Sequence, residues 1–157
     1  MAKLFKVVVM KNVLFVCTGN TCRSPMAEFI LKDVLKKNNI SNVVVSSAGL
    51  AVRGDDTINK NALQTLKNHG INAEGFVSRQ ITEGMIDNSD VVLCMTQNHK
   101  HFLPQMQKIV TLGEAVGASD VADPFGYDLS VYNLCYNQLQ TAIEKFARLY
   151  ILDNKNK

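Results

Sequence analysis

At 157 residues, 46% hydrophobic and 20% charged, the chain has the size and composition of one globular domain with a full core. Its 17 Lys and Arg against 14 Asp and Glu leave a formal charge of +3 with no basic block, too mild a balance to argue for nucleic acid or a membrane surface. Four cysteines without a signal peptide point to reduced thiols in a cytoplasm rather than to a disulfide scaffold. Residues 1–11 read as an N-terminal extension, or a mis-assigned start, running into the first strand. The apolar segment Val7–Met10 is far too short to span a bilayer, and residues 1–9 are assigned no function.

The chain turns on Val13 to Pro25, V-L-F-V-C-T-G-N-T-C-R-S-P. The short apolar run Val13–Val16 predicts a buried strand that delivers Cys17 to its end. Thr18, Gly19, Asn20, Thr21 and Cys22 are small or turn-forming, so their backbone can curl with several N–H groups pointing inward. Ser24 and Pro25 read as N-cap and first position of a helix with Ala27, Ile30, Leu31, Val34 and Leu35 on one face. Inward amides and the positive end of a helix dipole suit a phosphate-like dianion, and the same field favours a cysteine thiolate. Arg23, six positions after Cys17, can place its planar fork on two oxygens of the bound group. The Gly-Lys-Ser/Thr ending of a nucleotide-binding loop is absent.

This stretch resembles the low-molecular-weight protein tyrosine phosphatase family, whose motif C-x5-R-S is met by Cys17, Arg23 and Ser24. The resemblance runs from Asn12 to Leu149 and implies that Cys17 attacks phosphorus, forming a phosphocysteine that water then hydrolyses. It gives the amides of residues 18–22 to the phosphate and a hydrogen bond from Ser24 to the sulfur. It also implies that Cys22 can pair reversibly with Cys17 and protect it from over-oxidation. No metal or organic cofactor is implied, because Arg23 and the loop amides bring the positive charge.

Further along, Val43–Ser47 reads as a second buried strand ending at Ala48-Gly49, so strand, helix and strand predict a right-handed parallel crossover. Ligands in such sheets bind beyond the carboxyl ends of the strands, which places Ser47 and Gly49 near the Cys17 loop. The resemblance adds that Ser47 supports Asn20. Residues 59–69 predict a helix ended by Gly70. In the segment Val77–Thr82 the chain departs from the family pattern, since Phe76 stands where many members have a histidine. Residues 90–96 and 109–112 predict two more buried strands. Between them a short helix or loop carries His99 and His101 on a polar stretch with no role assigned. Cys135, Leu139, Ala142, Ile143, Phe146 and Leu149 predict a long amphipathic helix covering the sheet. The expected fold is a three-layer α/β domain over residues 12–152, a four-stranded parallel sheet of flavodoxin-like order 2-1-3-4 with helices on both faces. Residues 153–157 are expected to form a frayed tail.

A phosphoryl transfer through cysteine also needs a proton for the departing atom. Asp123, followed by Pro124, which restrains its backbone, is the candidate general acid, and the family's D-P pair maps onto it. Phe125 is expected to wall the pocket mouth, with Tyr127 assisting, while Asp120 and Asp128 are read as solvated. Tyrosine-directed members often have an aliphatic residue at the place of Thr21 and two aromatics after the D-P pair. Thr21 together with D-P-F-G resembles the bacterial protein arginine phosphatase branch. A polar, charged phosphoguanidinium suits the Thr21 hydroxyl and Asp123 carboxylate better than an apolar wall does. The expected partners are therefore phosphorylated proteins, with phosphoarginine preferred to phosphotyrosine, and the default oligomeric state is a monomer. Two alternatives stand: an arsenate reductase, which needs a relay of two further cysteines, and a phosphoprotein-binding module without turnover. A zinc site built from Cys17, Cys22, Cys94 and Cys135 is set aside, because the last two sit singly in apolar segments.

Overall fold

The structure, a computed structural model, describes residues 9–54 and 56–152. The expectations for residues 1–8 and for the tail from 153 onward lie outside the described residues.

The apolar run that opens the motif forms β1 (Asn12–Cys17), buried from Val13 onward. It pairs in parallel with β2 (Val44–Gly49) on one edge and with β3 (Val91–Cys94) on the other, and β4 (Ile109–Thr111) lies outside β3. The resulting order, β2-β1-β3-β4, is the expected one. Among the described residues six α-helices accompany these strands: α1 (Arg23–Lys37), α2 (Lys60–Asn68), α3 (Glu83–Asp87) and α4 (Gln97–His101) between them, and α5 (Leu112–Val116) and α6 (Leu129–Ala147) after the last.

Strand alternation divides the core into two. Val13 and Phe15 face the larger cluster, with Ile30 and Leu31 of α1, Leu66 of α2 and Leu139, Ile143 and Phe146 of α6. Leu14 and Val16 face the smaller one, with Ile86 of α3 and Leu103 after α4. Helices therefore cover both faces, and all four strands end at the same edge.

Three details differ from the expectation. First, α1 begins at Arg23 with Cys22 at the N-cap position and no side-chain cap. Ser24 therefore lies inside the first turn, where its hydroxyl serves the nucleophile loop instead of capping. Pro25 remains compatible, because N–H groups of a first helical turn have no helical partner. Second, α6 gives way to a π-helical turn over Arg148–Leu152. The wider turn rotates Tyr150 and Ile151 into the core, and the Tyr150 hydroxyl donates to the Ala115 carbonyl at 3.1 Å. Leu149, expected on the buried face, is only half-buried. Third, α3 and α5 were not foreseen. They start at the threonine caps Thr82 and Thr111, the latter in a reciprocal capping box with Glu114.

Candidate active site

Cys17 ends β1, and the chain then curls through residues 18–22 into α1. The tightest point of the curl is Asn20, whose backbone is left-handed (φ 55°), a conformation Asn tolerates better than most residues. Its fully buried carboxamide fixes the turn. Nδ2 donates to Ser24 Oγ at 2.8 Å and to Ser47 Oγ at 2.9 Å, and Oδ1 accepts from the Arg79 N–H at 2.9 Å. The Asn20 carbonyl accepts from Ser78 Oγ at 2.7 Å. Cys17 Sγ lies 2.9 Å from Ser24 Oγ, so a chain of hydrogen bonds runs from the sulfur through Ser24, Asn20 and Ser47 to the buried Glu28 carboxylate. Glu28 in turn is paired with Lys32. Phe76, at the place of the missing histidine, packs edge-on against Phe29 with ring centroids 6.0 Å apart.

The loop also sits directly on the end of β2. A Cβ at Gly49 would lie 2.7 Å from the Thr18 carbonyl oxygen and 2.9 Å from the Asn20 nitrogen. The N–H groups of Leu50 and Ala51 donate to the carbonyls of Cys17 and Thr18 at 3.0 and 2.9 Å. Only glycine allows so close an approach.

Arg23 is buried beside the loop. Its Nη1 donates to the Val121 carbonyl at 3.0 Å, and its Nη2 lies 3.6 Å from Asp123 Oδ2. Val121 is itself tied to the sheet by its N–H to Met95 O at 3.0 Å. Asp123 is half-exposed and folds its Oδ1 back to the Phe125 N–H at 3.1 Å, leaving Oδ2 toward Arg23. A half-exposed carboxylate at this distance is a screened, weakly held partner, free to meet a substrate. The neighbouring acids have other tasks. Asp128 caps α6, and Asp120 accepts from the Gln97 N–H at 3.1 Å. Hydrogen bonds from Ser130 and the Val131 N–H hold the Asp128 carboxyl below its ordinary range.

These groups open into a cleft of about 610 Å³ lined by Cys17, Thr18, Gly19, Thr21, Cys22, Arg23, Asp123 and Phe125. Asn20 and Ser47 stand behind it as supports and do not line it. Tyr127 does not line it either: the side chain is exposed, and its carbonyl accepts from Asn61 Nδ2 at 3.4 Å. The turn at Gly126 (φ 86°) directs the chain away from the mouth after Phe125. The far wall, with Arg53, Asp56, Thr57 and Asn59, was not foreseen. Its signal was the polar stretch following a strand that ends beside the Cys17 loop. A second hollow of about 470 Å³ beside α2 holds none of these groups.

His99 was also missed. It is buried in the first turns of α4, with Nε2 3.0 Å from Thr18 Oγ1. Burial, reinforced by the Arg23 charge, lowers its pKa to about 4, so the ring is neutral at physiological pH. The cap Thr96, whose side chain accepts from the His99 N–H, marks where the helix leaves β3 and was the available clue.

All four cysteines are free and buried. Burial pushes the Cys22 thiol up, and its sulfur lies 3.3 Å from the Tyr132 hydroxyl. Burial pushes Cys94 and Cys135 up to about 12. Among the described residues no group of three or more His, Cys, Asp or Glu is placed to hold a metal ion, and no helix is long and apolar enough to cross a membrane.

Comparison with known proteins shows the family to which this fold belongs. Residues 12–156 match the family described as low molecular weight phosphotyrosine protein phosphatase. A protein-arginine-phosphatase of Bacillus subtilis is 35% identical over 144 residues, covering 87% of this chain and 95% of that protein. A low molecular weight protein-tyrosine-phosphatase of Staphylococcus haemolyticus, PtpB, is 36% identical over 139 residues, covering 85% and 96%. The solved structure of the arginine phosphatase YwlE from Geobacillus stearothermophilus superposes with a TM-score of 0.83 at 35% identity, covering 92% of this chain and 94% of that one. With residues 12–156 matched by the family and relatives at 35% and 36% identity covered over nearly their whole length, the chain belongs to the low molecular weight phosphotyrosine protein phosphatase family.

Proposed function

We propose that the protein is a cysteine-dependent phosphoprotein phosphatase acting on phosphoarginine in preference to phosphotyrosine. The observation that carries the reaction is the meeting of Cys17 Sγ, Arg23 and Asp123 in one cleft, with Ser24 Oγ 2.9 Å from the sulfur. In the first step Cys17 sulfur attacks phosphorus, the P–N bond of phosphoarginine or P–O bond of phosphotyrosine breaks, and Asp123 gives its proton to the departing atom. Arg23, its guanidinium plane set by the Val121 carbonyl, holds two phosphoryl oxygens. In the second step Asp123 takes a proton from water, water oxygen bonds to phosphorus, and the P–S bond breaks. Ser24 then donates to the leaving thiolate.

The preference rests on Thr21. Thr21 lines the cleft, its hydroxyl 3.7 Å from Cys22 Sγ, and with the Asp123 carboxylate it is a polar partner available to a guanidinium. Phe125, also in the cleft, supports the second reading, since an exposed aromatic face suits a phosphotyrosine ring. Matched phosphoarginine and phosphotyrosine peptides decide between them. Phosphoarginine should win in kcat/KM by tenfold or more, about 1.4 kcal/mol, and Thr21→Ile should reverse the order. A phosphotyrosine preference unchanged by Thr21→Ile would return the chain to the parent activity.

The arsenate reductase alternative has little support, because Cys94 and Cys135 are buried thiols pushed up to about 12 and neither forms a relay at the cleft. The proposed setting is a cytoplasmic monomer acting on phosphorylated proteins. Cys22 is the proposed resolving thiol of a reversible disulfide with Cys17. Peptide mapping after mild peroxide should find that disulfide rather than a sulfinic Cys17.

A further inference from the structure

The buried imidazole of His99 has no place in the reaction described above, yet it touches the residue that follows the nucleophile. Its Nε2 lies 3.0 Å from Thr18 Oγ1, and among the described residues its Nδ1 is the one buried side-chain nitrogen or oxygen with no hydrogen-bond partner. The ring is 4% exposed. Two neutral tautomers are available, and they differ in cost. A proton on Nδ1 would leave a buried N–H donor with no acceptor. A proton on Nε2 leaves only an unused lone pair at Nδ1 and makes a hydrogen bond to Thr18. Orphaned buried N–H groups are the rarer and costlier case.

With Nε2–H donating, Thr18 Oγ1 is an acceptor toward His99, and its own proton must point elsewhere. Thr18 is exposed and lines the cleft one residue after Cys17. We propose that His99 is a positioning residue that holds the Thr18 hydroxyl with its proton directed into the cleft, where Thr18 donates a hydrogen bond to an oxygen of the bound phosphoryl group. The loop amides and Arg23 would then be joined by a side-chain donor whose direction is set from behind by a buried neutral ring. Such a donor stays aligned as charge on the phosphoryl oxygens changes, with no reorganisation needed.

The inference rests on the phosphate-binding role of the loop proposed above, and it does not depend on the choice between phosphoarginine and phosphotyrosine. It is tested by calorimetric titration with inorganic phosphate, together with kcat/KM for an aryl phosphate, on wild type, Thr18→Val, Thr18→Ser, His99→Phe and the double variant Thr18→Val/His99→Phe. Thr18→Val should weaken phosphate binding five- to tenfold and lower kcat/KM at least as much, while Thr18→Ser stays within twofold of wild type. His99→Phe should lose a similar factor, and the double variant should be no worse than either single one by more than twofold. If His99→Phe does not fold, the contrast of Thr18→Val with Thr18→Ser decides whether the hydroxyl donates. Full phosphate affinity and turnover in Thr18→Val overturn the proposal. So do losses that multiply in the double variant, which would make His99 a purely structural residue. A wild type that binds phosphate but turns over no phosphoester would instead remove the phosphatase reading, and the binding constants would still judge Thr18 and His99.

Discussion

In Asn20 two demands meet at one residue: the loop must turn left-handed at φ 55°, and the polar groups behind it must all be satisfied. Asn is among the few residues that can do both. Asn20→Ala places a Cβ-bearing apolar residue in a left-handed turn and leaves the Arg79 N–H without its acceptor. It should cost about 2–4 kcal/mol of stability in urea unfolding and lower kcat/KM more than tenfold. Asn20→Gly restores the backbone freedom but not the carboxamide, so it should recover part of the stability and little of the activity. Equal activity in wild type and Asn20→Gly would show that the loop holds its shape without the Ser24 and Ser47 bonds.

Among the elements, the end of β2 is as much a part of the site as the loop after β1. At Gly49 a methyl group would meet two backbone atoms of the nucleophile loop at 2.7 and 2.9 Å, and neither can move without disturbing Cys17. Gly49→Ala is therefore expected to reduce kcat/KM by more than tenfold, whereas Gly54→Ala, where a Cβ meets nothing within 4 Å, should leave it near wild type. The strands could be read from the sequence as short continuous apolar runs, buried on both faces, and α1, α2 and α6 because their apolar residues repeat at helical spacing over enough length. Cys17, Arg23 and Asp123 were legible for another reason: their residue types stand at spacings that the chemistry itself requires. The five-residue helices α3 and α5 were not, since one threonine cap carries no periodicity. His99 was hidden in the same way, because the Thr96 cap marks only where α4 starts and the polar run Gln97–His101 does not show that its third residue turns inward toward Thr18. Tyr127 misled because it shares a loop with Asp123, and only the turn at Gly126 separates their directions.

For the molecule as a whole, the order β2-β1-β3-β4 places the change of winding direction beside β1, and the cleft lies at that strand's carboxyl end. Segments distant in sequence converge there: the loop after β1, the end of β2, α4 and the loop before α6. This convergence gives global stability a pH signature. His99 faces Arg23, which with burial lowers its pKa from 6.5 to about 4, and Asp123 and Asp120, which oppose the shift. Between those values the unfolded chain takes up a proton that the folded chain refuses. Stability should thus fall as pH drops from 6.5 toward 4, with His99 contributing up to about 3 kcal/mol of the loss. Unfolding free energies of wild type and His99→Phe measured across this window should converge toward pH 4, and parallel curves would assign the loss to other groups. The reaction itself is tested most directly by acid-quenching the Asp123→Asn variant during turnover of a nitrophenyl phosphate and mapping the phosphoryl group by mass spectrometry. That leaving group needs little proton assistance while water attack does need the base, so phosphate should accumulate on the peptide containing Cys17 and vanish in Cys17→Ser/Asp123→Asn. Turnover that survives Cys17→Ser, or a phosphoryl group found on any other residue, would contradict Cys17 as the nucleophile.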